Sequence, residues 1–347
     1  MLCMLAVFLC MLLGGCGGGL PAESEETQAA NEEEESVRIG MSFDSYVIER
    51  WIRDRDAFVS TAKTMGASVN VQNANGDVQE QISQIEYLMD KGIDVLVVIA
   101  ADCNALSDVI HKAQDMGIKI ISYDRLVQKA GCDLYVSFDN RAVGTLMAQG
   151  MKAAIPNGGD IYMIQGPEED HNVLLVREGF EKELKGSNLN VVYEAQCEGW
   201  LAEKAADYVR EALKKYPDVK GIMCGNDDIA TQVIRVLAEN RKAGEVTVVG
   251  QDGDLAACQR IVEGSQTMTV FKSVEKLAET AAEYAVQMAR EEKLEKINTT
   301  IHDGIGEIPS CLLTPISVTS ENMDEVIIDG GFHSSEDVYL NVPEKSQ

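Results

Sequence analysis

Tryptophan and histidine are rare in this sequence, and the common catalytic motifs are missing. The 347 residues include two tryptophans and four histidines, and the histidines show no metal-ligand spacing. No GxSxG, P-loop or HExxH pattern occurs either. We therefore expect no catalytic residue, no metal and no cofactor.

Basic residues are also few. Lysine and arginine together number 30 against 57 aspartates and glutamates, which gives a formal net charge of −27. So acidic a surface repels the phosphates of nucleic acids and of anionic lipid headgroups. The charge therefore argues against nucleic acid as a partner and favours a neutral or cationic ligand.

The nine cysteines lack the CxxC and zinc-ligand spacings of redox and metal sites. Most are expected to be small buried hydrophobic residues, and the sequence does not pair them into disulfides. The remaining composition is ordinary for a globular protein, with 45 % hydrophobic and 25 % charged residues. The length predicts two lobes rather than a single core.

The N-terminal segment is strongly apolar. Residues 1–15 are too few to span a bilayer comfortably, so they are interpreted as an export signal peptide. The motif LGGC that ends at Cys16 resembles a bacterial lipobox, which implies lipidation of Cys16; a short buried helix followed by a glycine loop is the alternative. No lysine or arginine precedes Arg38, so the usual basic start of a signal is missing. Residues 16–36 carry a run of glutamates without periodicity, which predicts a flexible tether.

From Val37 onward, short apolar strands alternate with helices of 3.6-residue period. Gly66, Gly92 and Gly117 recur at the expected ends of the first three helices. Alternation of this kind implies right-handed crossovers and parallel sheets that are buried on both faces. The predicted fold class is α/β, with two doubly wound parallel-sheet lobes joined by a three-strand hinge.

The same pattern predicts how the chain divides. The N-terminal lobe is expected to comprise residues 37–141 plus 274–306, and the C-terminal lobe residues 142–273 plus 307–340. A late helix at residues 273–290 is expected to cross back to the first lobe, and the segment at residues 312–318 to return to the second.

Polar and aromatic residues follow the predicted strands, where open parallel sheets bind their ligands. Hydroxyl groups both donate and accept hydrogen bonds, which suits carboxylates, amides and guanidinium groups, and the C–H faces of a sugar suit aromatic rings. Taken singly, each Asp or Asn could be a helix cap, and Trp51 could equally be a core residue. The strand-end residues are Glu49-Arg50-Trp51, Tyr123-Asp124-Arg125, Asp170-His171-Asn172, Gly199-Trp200, Asn226-Asp227, Gln251-Asp252 and Phe271-Lys272.

Longer stretches of the sequence resemble a known family. They resemble the corresponding stretches of bacterial D-xylose-binding proteins, in the type I periplasmic-binding-protein superfamily. The stretches are ERWIRDRDAF, ANGDVQEQISQIEYLMDKGIDVLVVIA, YDR, YVSFDN, GNDDIA, VVGQDGDLAACQRI, GSQTMTVFK and PSCLLTPISV. The likeness runs from about residue 37 to residue 334. It implies a sugar enclosed between two hinged lobes.

Carried over motif by motif, the resemblance implies ten sugar-binding residues. Trp200 from EGW would stack on the sugar ring, and Trp51 from ERW would be a second aromatic contact. In the stretch GPEEDHN, His171 replaces a familiar asparagine. The implied polar ligands are Arg50, Asp124, Arg125, Asp170, Asn172, Asn226, Asp252 and Lys272.

The implied function is extracytoplasmic binding of D-xylose or a close aldose by lobe closure, with delivery to an ABC importer. A sensory subunit that presents the closed form to a membrane receptor or histidine kinase would use the same residues and stays open as an alternative. An enzyme acting on sugars is a remote alternative, because strand-end carboxylates can serve as acid and base. We expect a monomer, lipid-anchored to the extracytoplasmic face of the bacterial cell membrane.

Overall fold

The computed structural model describes residues 36–342. The predicted signal peptide, the lipid anchor on Cys16 and all but the last residue of the predicted tether therefore lie outside the described range. Within that range, no helix combines the length and the apolarity needed to cross a membrane.

Two mixed sheets, both mainly parallel, form the centres of two α/β lobes. In the first sheet the spatial order is β11-β12-β5-β4-β3-β1-β2, and in the second it is β13-β10-β9-β8-β6-β7. The strands are β1 (Arg38–Phe43), β2 (Ser68–Asn73), β3 (Val95–Val98), β4 (Lys119–Tyr123), β5 (Leu134–Phe138), β6 (Gly159–Gln165), β7 (Leu189–Gln196), β8 (Gly221–Cys224), β9 (Thr247–Asp252), β10 (Met268–Phe271), β11 (Thr299–His302), β12 (Glu307–Leu313) and β13 (Ile316–Val318).

Helices cover both faces of each sheet, and this arrangement confirms the predicted fold class. The helices are α1 (Arg50–Thr64), α2 (Val78–Asp90), α3 (Ser107–Asp115), α4 (Asn140–Ala154), α5 (His171–Leu184), α6 (Lys204–Lys215), α7 (Asp227–Glu239), α8 (Leu255–Glu263), α9 (Val274–Ala289) and α10 (Ser335–Val338). A 3₁₀ turn at Glu198–Trp200 and a π-helical turn at Asp324–Ile328 complete the list.

The repeating units form where the hydrophobic pattern predicts them. All four residues of β3 are buried, as a central parallel strand with helices on both faces requires. Gly66, Gly92 and Gly117 follow α1, α2 and α3 with positive φ, a conformation that lets the chain leave each helix sharply. The strands therefore end at one edge of each sheet, where the loops to the next helices begin.

The first sheet is larger than the sequence predicts. Strand β5 follows β4 without an intervening helix, so it falls outside the strand-helix rhythm. Strands β11 and β12 form an antiparallel pair at the sheet edge, and most residues of β11 are exposed. An exposed edge strand does not carry the apolar run by which buried strands are recognised.

The chain passes between the two sheets at three places. It leaves the first sheet after β5, returns after β10 through α9, which packs against α1, and leaves again between β12 and β13. Because β12 pairs with β5, we place the third passage at Thr314-Pro315, later than the predicted boundary at residues 306/307. Both lobes thus present their strand ends to a common space.

Candidate functional site

A cavity lies between the two lobes and is lined by residues of both. Its walls come from the C-terminal ends of strands in both sheets and from the first turns of the helices that follow. The structure brings all ten predicted site residues together there: Arg50, Trp51, Asp124, Arg125, Asp170, Asn172, Trp200, Asn226, Asp252 and Lys272.

Arg50, the first residue of α1, is held between two carboxylates. Its Nη2 lies 2.9 Å from Asp54 Oδ1, and its Nη1 lies 2.9 Å from Asp124 Oδ2. The Tyr123 hydroxyl also donates to Asp54. Burial raises the pKa of Asp54 although the Arg50 charge opposes that rise. This buried network fixes the guanidinium group in the cavity wall.

Arg125 connects the two lobes. Its Nη1 donates to Asp44 Oδ2 at 2.7 Å and to the Ala100 carbonyl at 3.0 Å, both in the first lobe. Its Nε lies 2.8 Å from Asp170 Oδ2, at the N-cap of α5 in the second lobe. Arg125 is 2 % exposed, so these charge-assisted bonds hold it with little competition from solvent.

Further contacts also cross from lobe to lobe. Asn172, in the first turn of α5, donates through Nδ2 to Asp124 Oδ1 at 3.0 Å. The backbone N–H of Cys103 donates to the carbonyl of Glu169 at 3.1 Å. Together with the Arg125–Asp170 ion pair, these contacts define a closed arrangement in which both lobes contribute to one cavity.

Asp252 and Lys272 form an ion pair in the second lobe, with Lys272 Nζ 2.7 Å from Asp252 Oδ1. Buried Asp227 fixes the chain beside this pair, because its Oδ2 accepts from the Gly253 N–H at 3.0 Å and from the Thr269 hydroxyl at 2.7 Å. Burial raises the pKa of Asp227 to about 7. Asp227 is thus a support for the site and does not itself line the cavity.

The cavity wall is electrically balanced. Burial alone would raise the pKa of Asp124, but the charges of Arg50, Lys272 and Arg125 lower it below its ordinary value. Asp124 is therefore a carboxylate at neutral pH. Equal numbers of cationic and anionic side chains favour an uncharged polar ligand, and the residues concerned are Arg50, Arg125 and Lys272 against Asp124, Asp170 and Asp252.

Several buried polar atoms of the wall have no hydrogen-bond partner among residues 36–342. Apart from Arg125 Nε and Asp252 Oδ1, which lie in ion pairs, three of these atoms are donors and two are acceptors, and each is almost wholly shielded from solvent. Native structures rarely leave such atoms unpaired except where a ligand or solvent meets them. A molecule with several hydroxyl groups would match both kinds at once. The atoms are Trp51 Nε1, Arg125 Nη2, Asn226 Nδ2, Gln165 Oε1 and Gln251 Oε1.

The backbone is strained at three of the cavity residues. Asp124, Trp200 and Asp252 have φ values of +59°, +58° and +107°, a region that residues with side chains rarely adopt. Strain of this kind concentrates at functional sites, where the surrounding structure holds side chains in required positions. The three residues come from both lobes, so each lobe holds a strained residue in the cavity wall.

The two tryptophans take different positions in the wall. The Trp200 indole N–H donates to Asp170 Oδ2 at 3.2 Å, and its ring lies against Gly166, where a Cβ atom would be only 2.4 Å from the ring. Trp51 is 1 % exposed and lies beneath Arg50, whose guanidinium carbon is 4.5 Å from the ring centroid. Trp51 therefore packs in the core while it lines the cavity, and its indole N–H is buried without a partner among residues 36–342.

The wall also contains residues outside the ten predicted ones. Gln165 and Asn140 line the cavity at the end of β6 and the start of α4, and neither was selected from the sequence. Gln251, which precedes Asp252 on β9, was among the strand-end residues but not among the ten implied ligands. Their positions at strand ends are the signal that could have found them. His171, by contrast, does not line the cavity although its neighbours Asp170 and Asn172 do. The remaining lining residues are Ile48, Gly166, Val173, Val176, Met223 and Gly225.

One group of carboxylates could offer ligand atoms to a metal. In the described part of the chain, oxygens of Glu49, Asp228 and Asp254 lie within 4.8 Å of one another. Glu49 is exposed and stands on the first lobe, whereas the other two stand on the second. These side chains lie outside the cavity wall.

Comparison with known proteins places this geometry in a family. Residues 39–293 match the family model described as a periplasmic binding protein domain. The D-xylose-binding periplasmic protein of Haemophilus influenzae is 44 % identical over 308 residues, which cover 87 % of this chain and 92 % of that protein. The chain belongs to the periplasmic binding protein family.

Other members of the periplasmic binding protein family show the same likeness. The D-xylose-binding periplasmic protein of Escherichia coli is 39 % identical, with 87 % of this chain and 92 % of that protein covered. A solute-binding protein of an ABC transporter from Clostridium phytofermentans, solved with bound β-D-glucose, has a TM-score of 0.80 and 26 % identity. That alignment covers 87 % of this chain and 99 % of the solved chain.

Proposed function

We propose that this protein binds a neutral aldose, with D-xylose the first candidate, in the cavity between its lobes and delivers it to an ABC importer. The observation that carries the proposal is the cavity wall, which is balanced in charge and presents unpaired, buried donors and acceptors. Two relatives with 44 % and 39 % identity are named as D-xylose-binding proteins, which supports the choice of sugar.

The wall suits the chemistry of a pyranose. The hydroxyl groups of the sugar would accept hydrogen bonds from the guanidinium and amide N–H groups and donate hydrogen bonds to the carboxylates. Those to the charged groups would be charge-assisted and therefore strong. The Trp200 ring is positioned by Gly166 and Asp170 and would lie against a C–H face of the sugar. Each group is fixed by contacts with protein neighbours, so little ordering remains to oppose binding.

Binding would be coupled to lobe closure. The contacts Arg125–Asp170 and Asn172–Asp124 exist only when the lobes meet, and a sugar between them would add further bridges. A ligand shifts a conformational equilibrium by its differential affinity for the two states. Micromolar affinity corresponds to a net binding free energy of about 8 kcal/mol, so the contacts with the sugar would also offset the free energy needed to close the lobes. The closed form would be what the importer recognises.

The protein would act at the extracytoplasmic face of the membrane, anchored by a lipid on Cys16, as a monomer that returns its sugar unchanged. Cys16→Ser should move the protein from the detergent phase to the aqueous phase in a detergent-partition assay of expressing cells. Recovery of unaltered radiolabelled D-xylose after incubation would support binding without catalysis, and any product would contradict it.

Tryptophan fluorescence tests the sugar-binding function directly, because both tryptophans of the chain lie in the cavity wall. The protein should be titrated with D-xylose, L-arabinose, D-ribose, D-glucose and the anion D-xylonate. A saturable change with D-xylose at micromolar concentration, and none with D-xylonate, is expected. The proposal would be contradicted if no neutral aldose changed the fluorescence and none gave a heat of binding in calorimetry.

A further inference from the structure

Gln165 differs from the other amides of the cavity. It is the last residue of β6, is 2 % exposed and lines the cavity. Its side chain makes no hydrogen bond to any residue in the described range, and its Oε1 is buried without a partner. By contrast, Gln251 donates through Nε2 to the Gly225 carbonyl at 2.5 Å, and Asn226 uses its Oδ1 to cap α7.

The backbone around Gln165 is closely packed. β6 lies between β7 and β8, and the Gln165 carbonyl accepts from the Cys197 N–H at 2.8 Å. Gly225 on the neighbouring loop approaches so closely that a Cβ atom there would lie 2.7 Å from the Gly166 nitrogen. Because Gln165 is 2 % exposed and lines the cavity, its side chain meets the cavity rather than the outer surface.

The neighbours of Gln165 form the second-lobe side of the wall. Gly166 follows Gln165 directly, and the Trp200 ring packs against Gly166. Asn226 follows β8, the strand adjacent to β6. Asn226 Nδ2 is likewise buried and unpaired. An unpaired acceptor and an unpaired donor thus stand on adjacent strand ends beside an aromatic ring.

We propose that Gln165 is a ligand-contacting residue that determines specificity, with its amide bonding one hydroxyl group of the bound sugar. The inference rests on the proposed sugar-binding function and adds to it a residue that the sequence motifs do not assign. An amide offers both an acceptor and donors, so a hydroxyl group is the ligand group that can satisfy it.

The consequence is selection against sugars that lack that hydroxyl. A site built to bond a hydroxyl rejects the analogue without it, because the buried polar group of the protein is then left unpaired. One mono-deoxy derivative of D-xylose should therefore bind the wild-type protein at least about tenfold more weakly for this reason. A merely structural glutamine would not distinguish one hydroxyl position from another.

The test compares the wild-type protein with Gln165→Met, which keeps the length of the side chain and removes the amide. Affinities for D-xylose and its 2-, 3- and 4-deoxy derivatives should be measured by calorimetry. We expect D-xylose to bind the variant about tenfold more weakly. The deoxy sugar that binds the wild-type protein more weakly than D-xylose should bind the variant about as well as D-xylose does. The effects of removing the hydroxyl and of removing the amide would then be coupled rather than additive.

Gln266→Met is the matched control. Gln266 is also buried in the second lobe, but its Nε2 donates to Asp227 at 2.8 Å, its Oε1 accepts from Arg260 at 3.0 Å, and it does not line the cavity. Its replacement should lower the melting temperature while leaving the ratios between the sugars unchanged. Gln165→Leu repeats the measurement if the methionine variant does not fold.

Two results would overturn the role of Gln165 alone. One is unchanged affinity for D-xylose in both Gln165 variants, and the other is an equal loss for D-xylose and every deoxy derivative. If the wild-type protein bound no aldose at all, the sugar-binding function would fail together with this role. The wild-type titrations therefore separate the two failures.

Discussion

The substitution Gly166→Ala tests how the Trp200 ring is positioned. A Cβ atom at residue 166 would lie 2.4 Å from the Cη2 and Cζ2 atoms of Trp200. Carbon atoms in contact are about 3.5–4.0 Å apart, so the ring would have to retreat by about 1 Å. The ring cannot retreat freely, because its N–H is bonded to Asp170 and its backbone is held at φ +58°.

The expected effect follows from that clash. Overpacking a well-packed site costs about 1–3 kcal/mol. Displacement of Trp200 would also disturb Asp170, which pairs with Arg125 across the cavity. A loss of about 1.4 kcal/mol in binding equals a tenfold change in affinity. We therefore expect Gly166→Ala to bind D-xylose at least about tenfold more weakly and to unfold at a lower temperature.

Calorimetric titration with D-xylose and thermal unfolding followed by circular dichroism are the two assays. Gly306→Ala is the matched control, because a Cβ atom at Gly306 would meet nothing within 4 Å and the residue lies outside the cavity. The reasoning would be refuted if Gly166→Ala bound D-xylose as tightly as the Gly306→Ala control and melted at the same temperature.

Three further substitutions have defined outcomes. Arg125→Ala should weaken D-xylose binding at least about tenfold in calorimetry, since it leaves Asp170 buried without its ion-pair partner; unchanged affinity would contradict the site. Trp200→Ala should weaken binding while the protein stays folded; global unfolding at 25 °C would instead make Trp200 a core residue. Burial, followed by the charge of Asp252, raises the pKa of Asp228 from 3.8 to about 6, so the contribution of its carboxyl to stability is full below pH 3.8 and is lost as the pH rises to about 6. Asp228→Asn should therefore raise the melting temperature at pH 7.5 more than at pH 5, and an equal effect at both pH values would contradict the shift.

Much of the fold could be predicted because buried parallel strands and amphipathic helices carry strong periodic signals. The all-buried VLVV of β3 and the glycines after α1, α2 and α3 are examples. β5 lies outside the alternation because no helix separates it from β4, and the β11–β12 hairpin lies outside it because its outer strand is exposed. Edge strands are specified by pairing with a neighbour, which one sequence segment does not reveal.

The candidate site could be predicted in part for a similar reason. Strand ends of parallel sheets meet at one edge, so Arg50, Asp124 and Asp252 converge although they are far apart in sequence. The role of these residues in binding sugar stays a prediction. Gln165 carried no motif, and only the three-dimensional structure shows that its amide is buried beside the cavity without a partner.

Some contacts depend on tertiary distances that no spacing encodes. Asp44 pairs with Arg125 across 81 residues, and Asn172 reaches Asp124 across 48. The first pair forms within the first lobe, and the second forms because the two lobes meet. A sequence pattern indicates which groups are polar, but the partner of each is set by the packing of elements that are distant in the chain.

A crystal structure of the protein grown with D-xylose would test the central claim most directly. The account predicts one pyranose in the cavity between the lobes, with hydroxyl groups about 3 Å from Asp124, Arg125 and Asn226 and one ring face against Trp200. The sugar bound elsewhere on the surface, or no sugar in the cavity at saturating concentration, would contradict it.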